Sequence, residues 1–273
     1  PRSEEIVLSG QKIEKSFGGG KSLFGFGKPN RFVHAVKDVT LDLRRGETLG
    51  VVGESGSGKS TLARCIIRLL DSNSGKIMLN GTDIGSLGRS DMRPFRSKIQ
   101  MVFQDPFASL NPRIKVGQII SQGPIIQGEP KERAEARARE LLKIVGLDER
   151  AFKRYPHEFS GGQRQRIGIA RALALDPEIL VADEPVSALD VSIQAQILKL
   201  LDEIREKMNL SMLFITHDLR VAAQVCDRLA VMRYGELVET GATTDIFDSP
   251  KHSYTRDLLA AVPGQNWDRK TAV

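Results

Sequence analysis

One segment decides the fold, and it reads Gly53-Glu54-Ser55-Gly56-Ser57-Gly58-Lys59-Ser60, with Thr61 directly after it. It fits the phosphate-loop pattern G-x-x-x-x-G-K-[ST], with a short apolar strand predicted before it and a helix after it. Glycines let the backbone curl so that successive N–H groups face phosphate oxygens, and the helix offers the positive end of its dipole. Lys59 can then reach the β- and γ-phosphates, and Ser60 can ligate Mg²⁺. The alternative is an ordinary glycine-rich turn in which the Lys-Ser pair occurs by coincidence and binds no phosphate.

Such a loop needs a second, acidic element, and the apolar strand predicted over 179–182 ends in Asp183 and Glu184. Side chains alternate along a strand, so the two carboxylates point differently unless the strand ends between them. We expect Asp183 to join the magnesium shell and Glu184 to act as general base on the attacking water. Away from a phosphate loop, the same pair would be an ordinary salt-bridged strand end.

Composition places the chain among globular proteins. It has 273 residues, 40% hydrophobic and 27% charged, which predicts a single domain over 1–273 rather than a disordered chain. The longest uncharged run, 116–128, has 13 residues, against the roughly 20 that cross a bilayer, so no transmembrane helix is expected. The polar start, Pro1 to Glu5, predicts no signal peptide and a cytosolic protein.

Charge and cysteine content exclude further classes. The net charge of +6 is spread along the chain rather than gathered into a basic block, which disfavours nucleic acid as a partner. Cys65 and Cys226 are too few for a four-cysteine cluster or zinc site. Both lie in apolar segments, so we expect them to be buried as small hydrophobic side chains.

The remaining pattern predicts three regions. Strands over 6–13 and 33–43 flank a glycine- and lysine-rich insertion at 18–29, and a hairpin turns at Asn80-Gly81. Helices with Pro and Gly breaks predict a helical subdomain over about 105–156, clearest where an apolar stripe runs along 131–145. The α/β pattern then resumes, and a C-terminal region of about 230–273 begins with a second small hairpin.

Four residues open the helix predicted over 161–175: Ser160-Gly161-Gly162-Gln163. By themselves they form a capping box, with Ser160 as the N-cap and Gln163 at the third helical position. Ser160 also lies 23 residues before Asp183. In this order with the motifs above, the segment resembles the signature of the ATP-binding-cassette (ABC) superfamily.

The resemblance covers nearly the whole chain. Gln104 matches the family's Q-loop, the run Ser187-Ala188-Leu189-Asp190 matches its D-loop, and His217 matches its switch histidine. It implies a P-loop NTPase fold of the α/β class, with a RecA-like core, an antiparallel β subdomain and an inserted α-helical subdomain.

The resemblance also implies how the site works. Two cassettes pair head to tail with two ATP molecules between them, so that Ser160, Gly161, Gly162 and Gln163 face the phosphate loop of the other subunit. Asp190 is a further nucleotide-binding residue. Lys59 and Mg²⁺ offset phosphate charge, Glu184 polarises water, and His217 holds the γ-phosphate and water in line. Gln104 contacts magnesium and couples the site to a partner.

In the same family an aromatic residue before the phosphate loop holds adenine. Phe17 matches that position, and Phe32 competes with it because the glycine-rich insertion blurs the register. Stacking at either ring would contribute on the order of 1 kcal/mol. The alternative for Phe17 is an ordinary core side chain.

Two further runs, 102–112 and 249–259, closely resemble the ATPase subunits of bacterial dipeptide and oligopeptide importers, whose relatives also import nickel, opines and glutathione. This implies a peripheral subunit at the cytoplasmic face of the cell membrane, with a second ATPase subunit, two permease subunits and, indirectly, a solute-binding protein. Peptides are the leading solute. The likeness is greater to the second ATPase subunit of such systems than to the first, in which late cysteines bind an iron–sulfur cluster. No cysteine follows Cys226, so no cluster is expected.

Two rival functions stay open at this point. Soluble ABC ATPases act on nucleic acid or ribosomes, but they typically carry two cassettes, zinc modules or long coiled coils. An exporter cassette released from a fused membrane domain is the other, and the segment 249–259 disfavours it. We therefore expect an ATP-hydrolysing subunit of an importer.

Overall fold

A computed structural model describes residues 3–18 and 32–262. Most of the predicted glycine-rich insertion, and the end of the predicted C-terminal region, lie outside those residues. The predicted α/β fold with an antiparallel sheet and a helical region is confirmed in the part described.

A six-stranded sheet forms the centre. Its strands are β3 (Thr48–Val52), β6 (Ile99–Val102), β7 (Ile179–Asp183), β8 (Ser211–Thr216), β9 (Arg228–Arg233) and β10 (Glu236–Ala242). Their order across the sheet is β10-β9-β3-β8-β7-β6. Strands β9, β3, β8, β7 and β6 run parallel, and β10 pairs antiparallel with β9.

Both faces of this sheet are covered, which explains why its strands are apolar without alternation. Along β7, Leu180 and Ala182 pack into one hydrophobic cluster, whereas Ile179 and Val181 pack into the other. Strand β8 divides its side chains in the same way. The sheet is therefore the shared wall between two cores.

A four-stranded antiparallel sheet covers one face. It contains β1 (Ile6–Phe17), β2 (Val33–Arg44), β4 (Ser74–Leu79) and β5 (Thr82–Asp83), in the order β2-β1-β4-β5. The predicted hairpin between β4 and β5 is present: Asn80 and Gly81 have φ of 46° and 78°, as a two-residue turn with positive φ requires. Helix α1 (Lys59–Ile66) packs into the same core.

Helices cover the other face and the region between β6 and β7. They include α3 (Val116–Ile126), α4 (Lys131–Ile144), two short 3₁₀ helices (Glu149–Lys153 and Pro156–Glu158) and α5 (Gly161–Leu173). The predicted stripe of α4 is buried, with Ala134, Ala138, Leu141 and Leu142 facing the core. Further helices are α2 (Arg93–Arg96), α6 (Val191–Met208), α7 (Leu219–Val225), α8 (Thr243–Asp248) and α9 (Ser253–Ala260). Within the described residues, none of these helices has the length and apolar character that a bilayer crossing needs.

The predicted end of the helix after the phosphate loop was wrong. The helix after the phosphate loop was expected to reach Leu70 but ends at Ile66. Arg68 takes a φ of 56°, and the N–H groups of Leu69 and Leu70 both donate to the carbonyl of Arg64, which closes the helix. A local backbone turn of this kind leaves no mark in the apolar periodicity.

Burial should make both thiols unreactive in the folded protein. Burial raises the pKa of Cys65 to about 11 and raises that of Cys226 still further. Because the thiolate is the nucleophile, we expect almost no alkylation of the native protein at pH 8. Two thiols should react once the chain is unfolded in guanidinium. Rapid labelling of either cysteine in the folded protein would contradict the burial of that cysteine.

Candidate active site

Four neighbouring strands end at one edge of the central sheet, and each is followed by a predicted site residue. Strands β3, β8, β7 and β6 are parallel neighbours, so their carboxyl ends meet. Gly53 follows β3, His217 follows β8, Glu184 follows β7, and Gln104 lies two residues beyond β6. Ligands bind beyond the carboxyl ends of the strands in such sheets. The predicted site residues therefore meet because of strand order.

A cavity of about 1050 Å³ lies at this edge. Its lining comes from the phosphate loop, the strand ends, β2 and the β9–β10 turn: Phe32, Val33, His34, Ala35, Lys37, Ser55, Gly56, Gly58, Lys59, Ser60, Thr61, Gln104, Glu184, Ser187, Ala188, His217, Tyr234 and Gly235. The volume suits a nucleotide-sized ligand.

The phosphate loop has the curvature that its glycines predict. Gly56 and Gly58 have φ of 80° and 102°, which side chains with a Cβ rarely adopt. A Cβ on Gly58 would also collide with the carbonyl oxygen of Ala35 in β2. The loop therefore lies directly against the antiparallel sheet.

Lys59 is buried inside the loop, with 4% of its surface exposed. Its Nζ donates to the carbonyls of Gly53 and Glu54, both at 2.8 Å. Burial lowers the pKa of Lys59, and the nearby carboxylates of Glu184 and Asp183 act in the opposite direction. The ammonium group therefore lies against the carbonyls of its own loop.

Asp183 and Glu184 point into different surroundings because β7 ends between them, the condition left open by the sequence. Asp183 is 1% exposed and accepts a hydrogen bond from Ser60 Oγ at 2.7 Å. Burial raises the pKa of this carboxyl, and the Ser60 contact lowers it. Glu184 takes the left-handed conformation, with φ of 46°, and its N–H donates to Ile215 of β8. That turn directs the Glu184 side chain into the cavity.

Two further predicted residues, Gln104 and His217, contact the same oxygen of Glu184. Gln104 Nε2 donates to Glu184 Oε2 at 3.2 Å, and His217 Nδ1 lies 3.1 Å from the same oxygen. The Glu184 carboxylate is 13% exposed, against 53% for the His217 side chain. A largely shielded carboxylate that faces the phosphate loop has the chemistry of a general base for a water molecule.

The predicted signature residues lie elsewhere. Ser160 Oγ accepts from the N–H of Gln163 at 3.3 Å, and the Gln163 side chain accepts from the N–H of Ser160 at 3.0 Å, so the predicted capping box is confirmed. A Cβ on Gly162 would come within 2.6 Å of Ile193. Asp190 is exposed at the start of α6. The residues 160–163 and Asp190 are not among those that line the cavity.

The two candidate adenine contacts differ in position. Phe32 lines the cavity and is 54% exposed. Phe17 ends β1, is 42% exposed, carries Lys15 Nζ 5.3 Å from its ring centre, and is not a lining residue. The exposure of Phe17 does not fit the core alternative.

Sequence reasoning missed the contribution of β2 and of the β9–β10 turn. His34, Ala35, Lys37, Tyr234 and Gly235 all line the cavity. Tyr234 is 67% exposed and has φ of 48°. The predicted second hairpin was the only signal for this turn, and nothing in it indicated proximity to a loop almost 180 residues earlier.

The fold and the loop at its sheet edge define a P-loop nucleotide-binding protein, and comparisons identify its family. The sequence pattern of the family described as ABC transporter matches residues 36–187. The chain is 51% identical over 241 residues to the oligopeptide transport ATP-binding protein OppF of Bacillus subtilis (strain 168), covering 87% of this chain and 79% of that protein. It is 51% identical over 233 residues to the dipeptide transport ATP-binding protein DppF of Lactococcus lactis subsp. cremoris, covering 84% and 75%. The chain belongs to the ABC transporter family and is one of its ATPases.

Solved structures agree with this assignment. The ATP-binding cassette MJ0796, in a dimeric post-hydrolysis state bound to ADP and Pi, is 30% identical and has a TM-score of 0.75 over 86% of this chain and 98% of that one. The cassette cbiO1 of Clostridium perfringens, part of the transporter complex cbiONQ, is 27% identical with a TM-score of 0.76, covering 95% and 97%.

Removing the buried ammonium should weaken nucleotide binding. Charge-assisted hydrogen bonds contribute about 1.5–3 kcal/mol, so Lys59→Ala should weaken ATP binding by about 10- to 100-fold. A titration with a fluorescent ATP analogue measures this. Lys199→Ala, on the exposed face of α6, is the matched control and should bind like the wild type. Equal affinity in the two variants would contradict the phosphate-loop assignment.

Proposed function

We propose that this chain is the ATP-hydrolysing subunit of an importer that takes up peptides through separate membrane subunits. The observation that carries the hydrolytic part is the convergence of Gln104 and His217 on Glu184, opposite the phosphate loop. The transport part is supported by relatives at about 50% identity that are described as oligopeptide, dipeptide or peptide import ATP-binding proteins. Those relatives favour import over the nucleic-acid and exporter alternatives.

Hydrolysis follows from groups already in the cavity. ATP phosphates lie on the N–H groups of the loop and the start of α1, where the helix dipole favours negative charge. The Lys59 ammonium group, which has three N–H donors, contacts phosphate oxygens from inside the loop. Glu184 accepts a proton from the attacking water, and His217 keeps that water and the γ-phosphate in line. Adenine stacks on Phe32 or Phe17.

The oxygens beside the loop fit a small divalent cation. Mg²⁺ typically takes one or two protein carboxylates together with phosphate oxygens and water. Ser60 Oγ and the buried Asp183 Oδ1 offer a hydroxyl and a carboxylate, and the side-chain oxygen of Gln104 is a third ligand at the cavity. Among the described residues no group of three or more His, Cys, Asp or Glu could hold a metal alone, so binding together with the nucleotide is expected. When bound, Mg²⁺ supplies positive charge to the phosphates.

A second cassette completes the site in this proposal. Residues 160–163 start α5 and lie away from the cavity of their own chain, so their N–H groups are available to a neighbour's γ-phosphate. The dimeric state of MJ0796 supports this arrangement. The partner is either a second copy or a related ATPase subunit.

Permease subunits dock on a groove that adjoins Gln104. A second cavity, of about 500 Å³, lies between β6 and α3 and includes Leu69, Phe103, Ile126 and Arg171. Leu69 and Ile126 are 53% and 58% exposed, and Phe103 directly precedes Gln104. We expect a cytoplasmic helix of a permease there, which would hold the subunit at the cytoplasmic face of the membrane. Solute then arrives on the other side with a binding protein.

Isolation from native membranes tests the transport proposal. A tagged chain, solubilised in detergent with and without ATP, should recover two polytopic membrane proteins and a second cassette, identified by mass spectrometry. The Lys59→Ala variant controls for contacts that depend on nucleotide. Recovery of ribosomes or nucleic acid instead of permeases would overturn the importer while leaving the ATPase assignment intact.

The role of Glu184 has its own test. Glu184→Gln keeps the shape and removes the base, so Mg-ATP affinity should be retained while turnover falls by about 10²- to 10⁴-fold. Steady-state phosphate release measures the rate, and Glu203→Gln on the exposed face of α6 serves as the control. Near-normal hydrolysis by Glu184→Gln would refute its role as base.

A further inference from the structure

The C-terminal segment 249–259 is one of the two runs that resemble peptide importers. It contains none of the residues to which we assign a role in hydrolysis. It contains α9, and the start of that helix is fixed to β10. The Glu239 carboxylate accepts the N–H groups of Lys251 and His252 at 2.8 and 2.9 Å. The His252 ring then caps the helix by accepting from the N–H of Tyr254. This anchoring fixes where Tyr254 lies.

Tyr254 is 3% exposed, and its hydroxyl reaches the phosphate loop. The N–H of Glu54 donates to Tyr254 Oη at 3.2 Å, across 200 residues of sequence. The Arg233 guanidinium lies 4.5 Å from the centre of the Tyr254 ring and 5.0 Å from that of Tyr234, which lines the nucleotide cavity. A stack of three side chains thus links α9 to the cavity.

A second contact holds the same loop from the same direction. The N–H of Gly235, in the β9–β10 turn, donates to the carbonyl of Ser57 at 2.9 Å. The stretch from Glu54 to Ser57 is therefore fixed at both ends by the C-terminal part of the chain.

The Tyr254 contact differs from the one that Lys59 makes. The Tyr254 hydroxyl accepts from the N–H of Glu54, whereas Lys59 Nζ donates to the carbonyls of Gly53 and Glu54. Glu54 is therefore held from two sides, through its N–H and through its carbonyl.

We propose that Tyr254 is a positioning residue for ATP binding, whose hydroxyl holds the Glu54 N–H so that the phosphate loop keeps the curvature that ATP binding needs. The segment 249–259 then stabilises the geometry of the nucleotide site. The proposal rests on ATP binding at this loop and is independent of the transported solute.

Tyr254→Phe tests it, because the ring, its packing and its contact with Arg233 are retained while the hydroxyl is lost. One lost hydrogen bond predicts a dissociation constant for ATP about 2- to 10-fold higher in a fluorescent-analogue titration. Amide exchange at Glu54 should also become faster. Tyr155→Phe, in which the ring stacked on His157 is kept, is the matched control on another part of the fold. Because Tyr254→Phe removes a hydrogen bond of a buried hydroxyl, its nucleotide-free thermal midpoint should fall by the few degrees that one such bond accounts for.

Equal ATP affinity in Tyr254→Phe and the wild type overturns the inference. So does a fall in ATP affinity with amide exchange at Glu54 unchanged, because the hydroxyl would then not be what holds that residue. A wild-type chain that bound no ATP would instead refute the nucleotide site itself.

Discussion

The structure depends on the hydrogen-bonded register of four parallel strands. Val52 of β3 lies opposite Thr216 of β8, Ile215 lies opposite Asp183 of β7, and Ala182 lies opposite Val102 of β6. Strands in a sheet are about 4.8 Å apart, so groups that follow these residues fall within reach of one nucleotide. A slip of one residue in any strand would turn its apolar side chains toward the wrong core and move one group out of the site. Burial of both faces of the central sheet therefore fixes the positions of the site residues as well as the fold.

Much of this arrangement could be predicted from the sequence. The phosphate loop, the paired carboxylates at the end of β7 and the capping box at Ser160 each have a local pattern, and the structure reproduces that geometry. The side-chain roles assigned to these residues remain predictions. Strand order could be expected only through the resemblance to a known family, because nothing local encodes which strands are neighbours.

Other features could not be predicted because they arise from contacts distant in sequence or from single backbone turns. The left-handed conformation of Glu184 depends on its N–H bonding to β8. The close approach of Gly58 to Ala35, and the turn at Tyr234, need the antiparallel sheet and the β9–β10 hairpin to meet the loop. Helix α9 was not expected, because the apolar pattern over 253–260 is short and half-buried. Its contact with Glu54 is visible only in three dimensions.

The polar groups of the site make hydrogen bonds with one another or with the loop. Lys59 donates to loop carbonyls, Ser60 donates to Asp183, and Gln104 donates to Glu184. We propose that ATP places its phosphates on the loop, within reach of Lys59. A crystal structure of Glu184→Gln with ATP and Mg²⁺ tests this most directly. We predict the triphosphate on the loop, with Lys59 Nζ and His217 within hydrogen-bond distance of the γ-phosphate. ATP bound elsewhere, or a Lys59 Nζ with no phosphate oxygen within hydrogen-bond distance, would contradict the account.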